Sequence, residues 1–134
     1  MICDWSIGDL PGLDRAERVL LEAIGVTTTQ QLLTAAPDAA TKQQLAASLG
    51  AKIQYVNKLV ALADLARLAG VGCQYNGLLL HTGIISVKQL SQMPAHKIHQ
   101  QLLKLHVATL QRRDLCPDLA QVQAWVRQAQ ELGS

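Results

Sequence analysis

Apolar residues recur at helical spacing along nearly the whole chain, and glycine and proline interrupt them at intervals. A short helix or turn over residues 5–10 leads to Pro11-Gly12. A helix over 14–23 follows, carrying Ala16, Val19, Leu20 and Ala23 at helical spacing, with its leucines placed to bury a face. Gly25 ends it as a left-handed cap, and Thr27 to Thr29 offer an N-cap for a short helix over 30–35 that carries Leu32 and Leu33 inward. Pro37-Asp38 opens a helix over about 39–49 that Gly50 closes. The longest helix is predicted over about 52–68, with Ile53, Val56, Val60, Ala63 and Leu65 as its apolar stripe and Lys52, Lys58 and Arg67 toward water. Gly70-Val71-Gly72 then turns the chain. Beyond it the pattern predicts helices over about 74–81, 87–92 and 95–105, with Gly83 as a cap, Ser86 as an N-cap and Pro94 as a start signal. A connector carries Arg112 and Arg113. Pro117-Asp118 starts a last amphipathic helix in which Val122, Trp125, Val126 and Ala129 share a face.

Part of this pattern occurs twice. LPGLDRAERVLLEAIGVTTTQQL, residues 10–32, aligns without a gap on LAGVGCQYNGLLLHTGIISVKQL, residues 68–90, at a constant offset of 58. Leu10/Leu68, Gly12/Gly70, Leu20/Leu78, Leu21/Leu79, Gly25/Gly83, Gln31/Gln89 and Leu32/Leu90 are identical. The glycines fall at turns and the leucines on helices, so a shared backbone plan explains the match. The expected organisation is one all-α domain over 1–134. Repeat one covers about 7–35, linking helices about 38–68, repeat two about 68–106, and a C-terminal helix about 117–132.

Composition agrees with an all-helical chain. Nearly half the residues are apolar, yet the aromatics are only Trp5, Tyr55, Tyr75 and Trp125, which leaves the core to Leu, Ala, Val and Ile. At 134 residues the chain suffices for one domain, or for two small repeats packed as one body. Cys3, Cys73 and Cys116 are odd in number and far apart, the pattern of reduced thiols in a cytoplasm. The amino terminus has no basic leader segment and no apolar run reaches the length of a membrane span, so a cytoplasmic location is expected.

The net charge of +2 conceals an asymmetry. Residues 51–113 hold Lys52, Lys58, Arg67, Lys88, Lys97, Lys104, Arg112 and Arg113 against Asp64 alone, a net of +7, while four cations and nine acids leave the remainder at −5. A polyanionic or acidic partner for the basic half is one reading. Attraction between the two halves within the fold is the other.

L-A-G-V-G followed by a helix with Leu78 and Leu79 resembles a helix-hairpin-helix motif, in which two helices are joined by a tight glycine-containing turn. Such a turn can direct backbone N–H groups at a phosphate, or it can simply pack two helices together. In the first repeat Asp14 replaces the second turn glycine. Its carboxylate would cap its own helix and repel a phosphate, which makes that hairpin structural. In the second repeat Asn76 and Gly77 stand where small apolar residues are expected, and Cys73 and Gln74 bring no cation to the turn. Over about residues 7–131 the chain also resembles a family of uncharacterised proteins catalogued as the four-three-three-two domain of unknown function. Ala63 to Gly72, A-D-L-x-R-L-x-G-V-G, carries that resemblance most specifically. It implies paired helix-hairpin-helix-like units and no catalytic residue.

Other candidate chemistry is sparse. His96, His99 and His106 fall at spacings that suit one helix face and a metal ion, but no Cys or acid sits at a matching offset, so no metal and no cofactor is expected. His81 suits a helix C-terminus, and Asp14, Glu17 and Glu22 with Arg15 and Arg18 suit a solvated face. Cys73 begins a helix, where the macrodipole lowers a thiol pKa. There is no phosphate-binding loop, dinucleotide fingerprint, zinc signature or nucleophile elbow, so the chain is not expected to be an enzyme. The leading expectation is a binding module for a nucleic-acid backbone, without base specificity. Gly70, Val71 and Gly72 would present N–H groups, and Arg67, Lys88, Lys97, Lys104, Arg112 and Arg113 the counter-charge. The alternative is a protein-interaction adaptor or assembly factor in a larger complex, offering an apolar groove or an acidic face to an unidentified protein.

Overall fold

A computed structural model describes residues 3–109 and 117–133. Those residues form an all-α structure. One turn of 3₁₀ helix, Ile7–Asp9, precedes α1 (Arg15–Ala23), α2 (Thr29–Ala35), α3 (Ala39–Leu49), α4 (Ile53–Leu65), α5 (Gly72–His81), α6 (Val87–Gln92), α7 (Ala95–Thr109) and α8 (Leu119–Gly133). Among the described residues the only β pairing is an isolated antiparallel bridge between Ser6 and Thr28.

Short polar side chains start most of these helices. Asp14 accepts from the Glu17 N–H at 2.8 Å, Thr28 from Gln31 at 3.2 Å, Asp38 from Thr41 at 2.9 Å, Ser86 from Gln89 at 3.0 Å and Asp118 from Gln121 at 2.8 Å. Each such cap contributes about 1 kcal/mol. Gly50 closes α3 at φ 63°. The helix expected over 52–68 stops at Leu65, beyond which the bonds tighten to Arg67 N–H on Asp64 and Leu68 N–H on Leu65 ahead of the glycine turn, and α7 runs on past 105 to Thr109.

Several backbone features recur at the offset of 58. Gly25 and Gly83 have φ of 89° and 92°. The Val26 N–H donates to the Leu21 carbonyl at 2.9 Å and the Ile84 N–H to Leu79 at 3.1 Å. Gln31 Oε1 accepts from the Thr27 N–H at 2.7 Å, and Gln89 Oε1 from Ile85 at 2.9 Å. The preceding turns do not recur in this way. Gly12 is left-handed at φ 82° in the first, whereas in the second it is Gly72, at φ 52°, aligned with the extended N-cap Asp14. Identical residues at 12 and 70 therefore hide two different turn shapes.

The buried residues separate into two clusters that meet within α4. One runs from Ile7 to Ala63 and the other from Leu65 to Ala129. α2 and α3 pack on α4, and α6 and α7 pack on α8. The helix expected as a linker is thus the central packing partner of the first half, and α8 has that place in the second. Leu59 and Leu62, outside the predicted stripe, are buried as completely as Val56 and Ala63. Trp125 is the largest fully buried side chain, with its ring centroid 5.1 Å from that of Tyr75. The halves are joined at α4 and α5, where buried Asn76 donates from Nδ2 to the Leu62 carbonyl at 3.0 Å and the Trp5 indole donates to Ala66 at 2.7 Å.

Candidate interaction sites

The second hairpin turn is closed from within. The Gly70 N–H donates to Gln128 Oε1 at 3.1 Å, and those of Val71 and Gly72 donate to the Leu68 carbonyl at 3.1 and 2.9 Å. The three donors expected to face a phosphate are thereby engaged, and Val71 and Gly72 are buried. A hollow of about 420 Å³ lies beside them, walled by Trp5, Asp9, Gly70, Gly72, Cys73 and Gln74 among others. It contains an acid and no cation, so its field opposes an anion.

The expected cations do not gather at this turn. Arg67 is half-buried, with Nη2 2.8 Å from Asp64 Oδ1. Lys88 is exposed on α6, and Lys97 and Lys104 are exposed on α7, where their spacing of seven places them on one side. Lys104 borders a shallow hollow with His81, Thr82, Gln101 and Leu105. Arg112 and Arg113 lie outside the described residues.

A larger concavity opens where the two halves meet. This groove of about 690 Å³ is walled on its apolar side by Leu33, Ala36, Pro37, Val60, Ala61, Leu80 and Ile85. Gln54, Asn57, Lys58 and Asp64 line it from α4, Lys42 from α3, and Ser86 from the turn before α6. Among the described residues the ion pairs are Arg18–Glu22 and Arg67–Asp64, so Lys42 and Lys58 are unpaired. Asp64 is committed elsewhere: Oδ1 meets Arg67, and Oδ2 accepts from the Val87 N–H at 2.8 Å, tying α4 to the start of α6. Lys42 also helps hold the Asp38 carboxyl below its usual range, after the stronger effect of hydrogen bonds from Thr41. The groove is therefore apolar with a cationic margin. Sequence reasoning missed it, although Gln54, Asn57, Lys58, Ala61 and Asp64 mark one helix face at spacings of three and four.

A second surface lies on α1, where the expectation of a buried stripe is overturned. Ala16, Val19, Leu20, Ala23 and Ile24 are all exposed, with Val19 at 56 % and Ile24 at 54 %, while Leu21 on the opposite side is the helix's buried residue. Of the polar residues of α1, Glu17 is half-buried, while Arg15, Arg18 and Glu22 are exposed. Glu17 accepts a short hydrogen bond from the Tyr55 hydroxyl, which also donates to the Gly12 carbonyl at 3.2 Å. Burial and the Glu17 carboxylate raise the Tyr55 pKa well above the ordinary phenol range. Arg18 packs over Gly8 and pairs with Glu22 at 2.9 Å.

Among the described residues the candidate reactive and metal-binding groups are not assembled. His96 is exposed and His99 half-buried on α7, and the His106 side chain lies outside the described residues, as does Cys116. Among the described residues no three His, Cys, Asp or Glu side chains stand close enough to hold a metal ion. Burial, and secondarily Asp9, push the Cys73 thiol up from 9.0 to about 11, the reverse of the lowering expected at a helix start. Among the described residues no helix is long and apolar enough to cross a membrane.

A family model described as Domain of unknown function (DUF4332) matches residues 11–132, which include every α-helix of this arrangement except the last residue of α8. The chain belongs to this family. DUF4332 corrects the spelled-out designation given from the sequence. No curated protein and no solved structure matches the chain. The DUF4332 description assigns no activity.

Proposed function

We propose that this chain is a non-enzymatic protein-interaction module whose inter-half groove holds an amphipathic helical segment bearing acidic residues. The observation that carries this reading is the pairing of an apolar wall with two unpaired lysines, in a concavity whose own carboxylate is already neutralised. Leu33, Val60, Leu80 and Ile85 would cover the apolar face of such a segment, and Lys42 and Lys58 would meet its acids at the rim. The recurrence of bonds and caps at residues 21–31 and 79–89 supports two helix-hairpin-helix-like units, with the groove between them. Three cysteines, odd in number and far apart in the sequence, support a cytoplasmic setting.

Fluorescence anisotropy with a synthetic helical peptide, leucine on one face and glutamate on the other, tests this reading. Lys42→Glu combined with Lys58→Glu should weaken binding about tenfold or more, from two repelled contacts. Equal affinity in wild type and double variant would remove the groove from the site.

The nucleic-acid reading retains one favourable observation, the exposed Lys88, Lys97 and Lys104 on α6 and α7. It calls for binding to a random-sequence DNA duplex that weakens steeply with salt and on charge reversal of those lysines. Binding that survives their reversal would end it.

A further inference from the structure

We propose that α1 is a contact through which two copies of this chain associate about a two-fold axis, with the two α1 helices antiparallel. This surface is separate from the groove and stands on different observations. α1 leaves an apolar stripe on the surface: Ala16, Val19, Leu20, Ala23 and Ile24 are exposed next to exposed Arg15, Arg18 and Glu22, while Leu21 is buried and Glu17 bonds the Tyr55 hydroxyl. Exposed apolar stripes of this kind mark contacts with other molecules.

The stripe is self-complementary. An axis passing between Val19 and Leu20 sets Val19 on Leu20 of the partner subunit, and Ala16 on Ala23 of the partner subunit. The two alanines at the ends of the stripe allow close approach of the helices. Charge follows the same register. Arg15 and Glu22, both exposed and one on each end of α1, share one edge of the stripe, and Glu22 Oε1 also pairs with Arg18 of its own chain at 2.9 Å. Under this symmetry Arg15 comes within about 3 Å of rise of Glu22 of the partner subunit, and the pair occurs twice. A parallel pairing would instead set the two Arg15–Glu22 edges on opposite sides of the seam, without this pair. A helix of nine residues presents less than a standard interface, so the dimer is weak and reversible.

Sedimentation velocity of the full chain over a concentration series tests this. The expected result is a reversible monomer–dimer equilibrium that Val19→Glu shifts to monomer, raising the dissociation constant about tenfold or more, with unchanged helical circular dichroism. A monomer at every concentration, or a dimer indifferent to Val19→Glu, would overturn the proposal. Charge reversal tests the register independently. Arg15→Glu alone should weaken the dimer, and adding Glu22→Arg should restore it. Failure of that restoration would overturn the antiparallel pairing.

Discussion

Trp5 packs against the place where Gly72 has no side chain: a Cβ on Gly72 would stand 2.9 Å from Trp5 Cζ2. The indole is fixed there by its 2.7 Å bond to the Ala66 carbonyl. The amino-terminal segment thus closes over the second hairpin turn and occupies space that a ligand would need to reach Gly72. Glycine is required at 72 twice over, by this approach and by φ of 52°. A Gly72→Asp variant, which copies Asp14 of the first turn, would therefore disturb packing and backbone before it reported on charge.

Gly72→Ala should cost about 2–4 kcal/mol, combining a left-handed alanine with overpacking. Urea denaturation measures it. Trp5→Leu in the same chain should return the steric part, giving a double variant more stable than the sum of the single effects predicts. Strict additivity would show that Trp5 is not the obstacle.

Asn76 ties the halves together from a fully buried position, donating to Leu62 and accepting from the Gly77 N–H at 2.7 Å. The Leu62 carbonyl keeps a second donor, the Ala66 N–H at 3.0 Å. Asn76→Ala should accordingly destabilise by about 1–3 kcal/mol, for the lost bonds and the space left behind. Thermal unfolding followed by circular dichroism reads the loss, and an unchanged midpoint would contradict the role assigned to this residue.

Cys73 should be slow to alkylate. With its thiol held at about 11, little thiolate exists at pH 8, and the rate should climb only toward pH 11. The folded chain keeps the proton where the unfolded chain, near 9.0, releases it. This contribution to stability is complete below about pH 9 and is lost as pH rises toward about 11. Asp9→Asn should lower the thiol pKa modestly, since burial is the larger cause. Rapid alkylation of Cys73 at pH 8 in the folded protein would contradict this.

Helix order was legible in the sequence because its punctuation is local. Asp14, Thr28, Asp38 and Ser86 act as caps, and Gly25, Gly50 and Gly83 take the left-handed geometry that helix ends favour. Direction was not legible. Ala16, Val19, Leu20 and Ala23 have the spacing of a core stripe, and spacing alone cannot tell a face buried within the fold from one left on its surface. The hairpin misled for a related reason. Gly70-Val71-Gly72 permits phosphate contact, but Gln128 and Trp5, distant in sequence, engage its N–H and cover its turn. The groove was invisible for lack of a signature, since Leu33, Lys42, Lys58 and Ile85 come from three helices and the turn before α6.

The most direct test of the protein-interaction reading is amide chemical-shift mapping of the uniformly labelled chain, titrated in parallel with the acidic amphipathic peptide and with a random-sequence DNA duplex. The predicted result is saturable shifts at Leu33, Ala36, Val60, Ala61, Leu80 and Ile85 with the peptide, lost when its glutamates are replaced by lysines. Shifts confined to Lys88, Lys97, Lys104 and their neighbours with DNA, and none in the groove with the peptide, would contradict it.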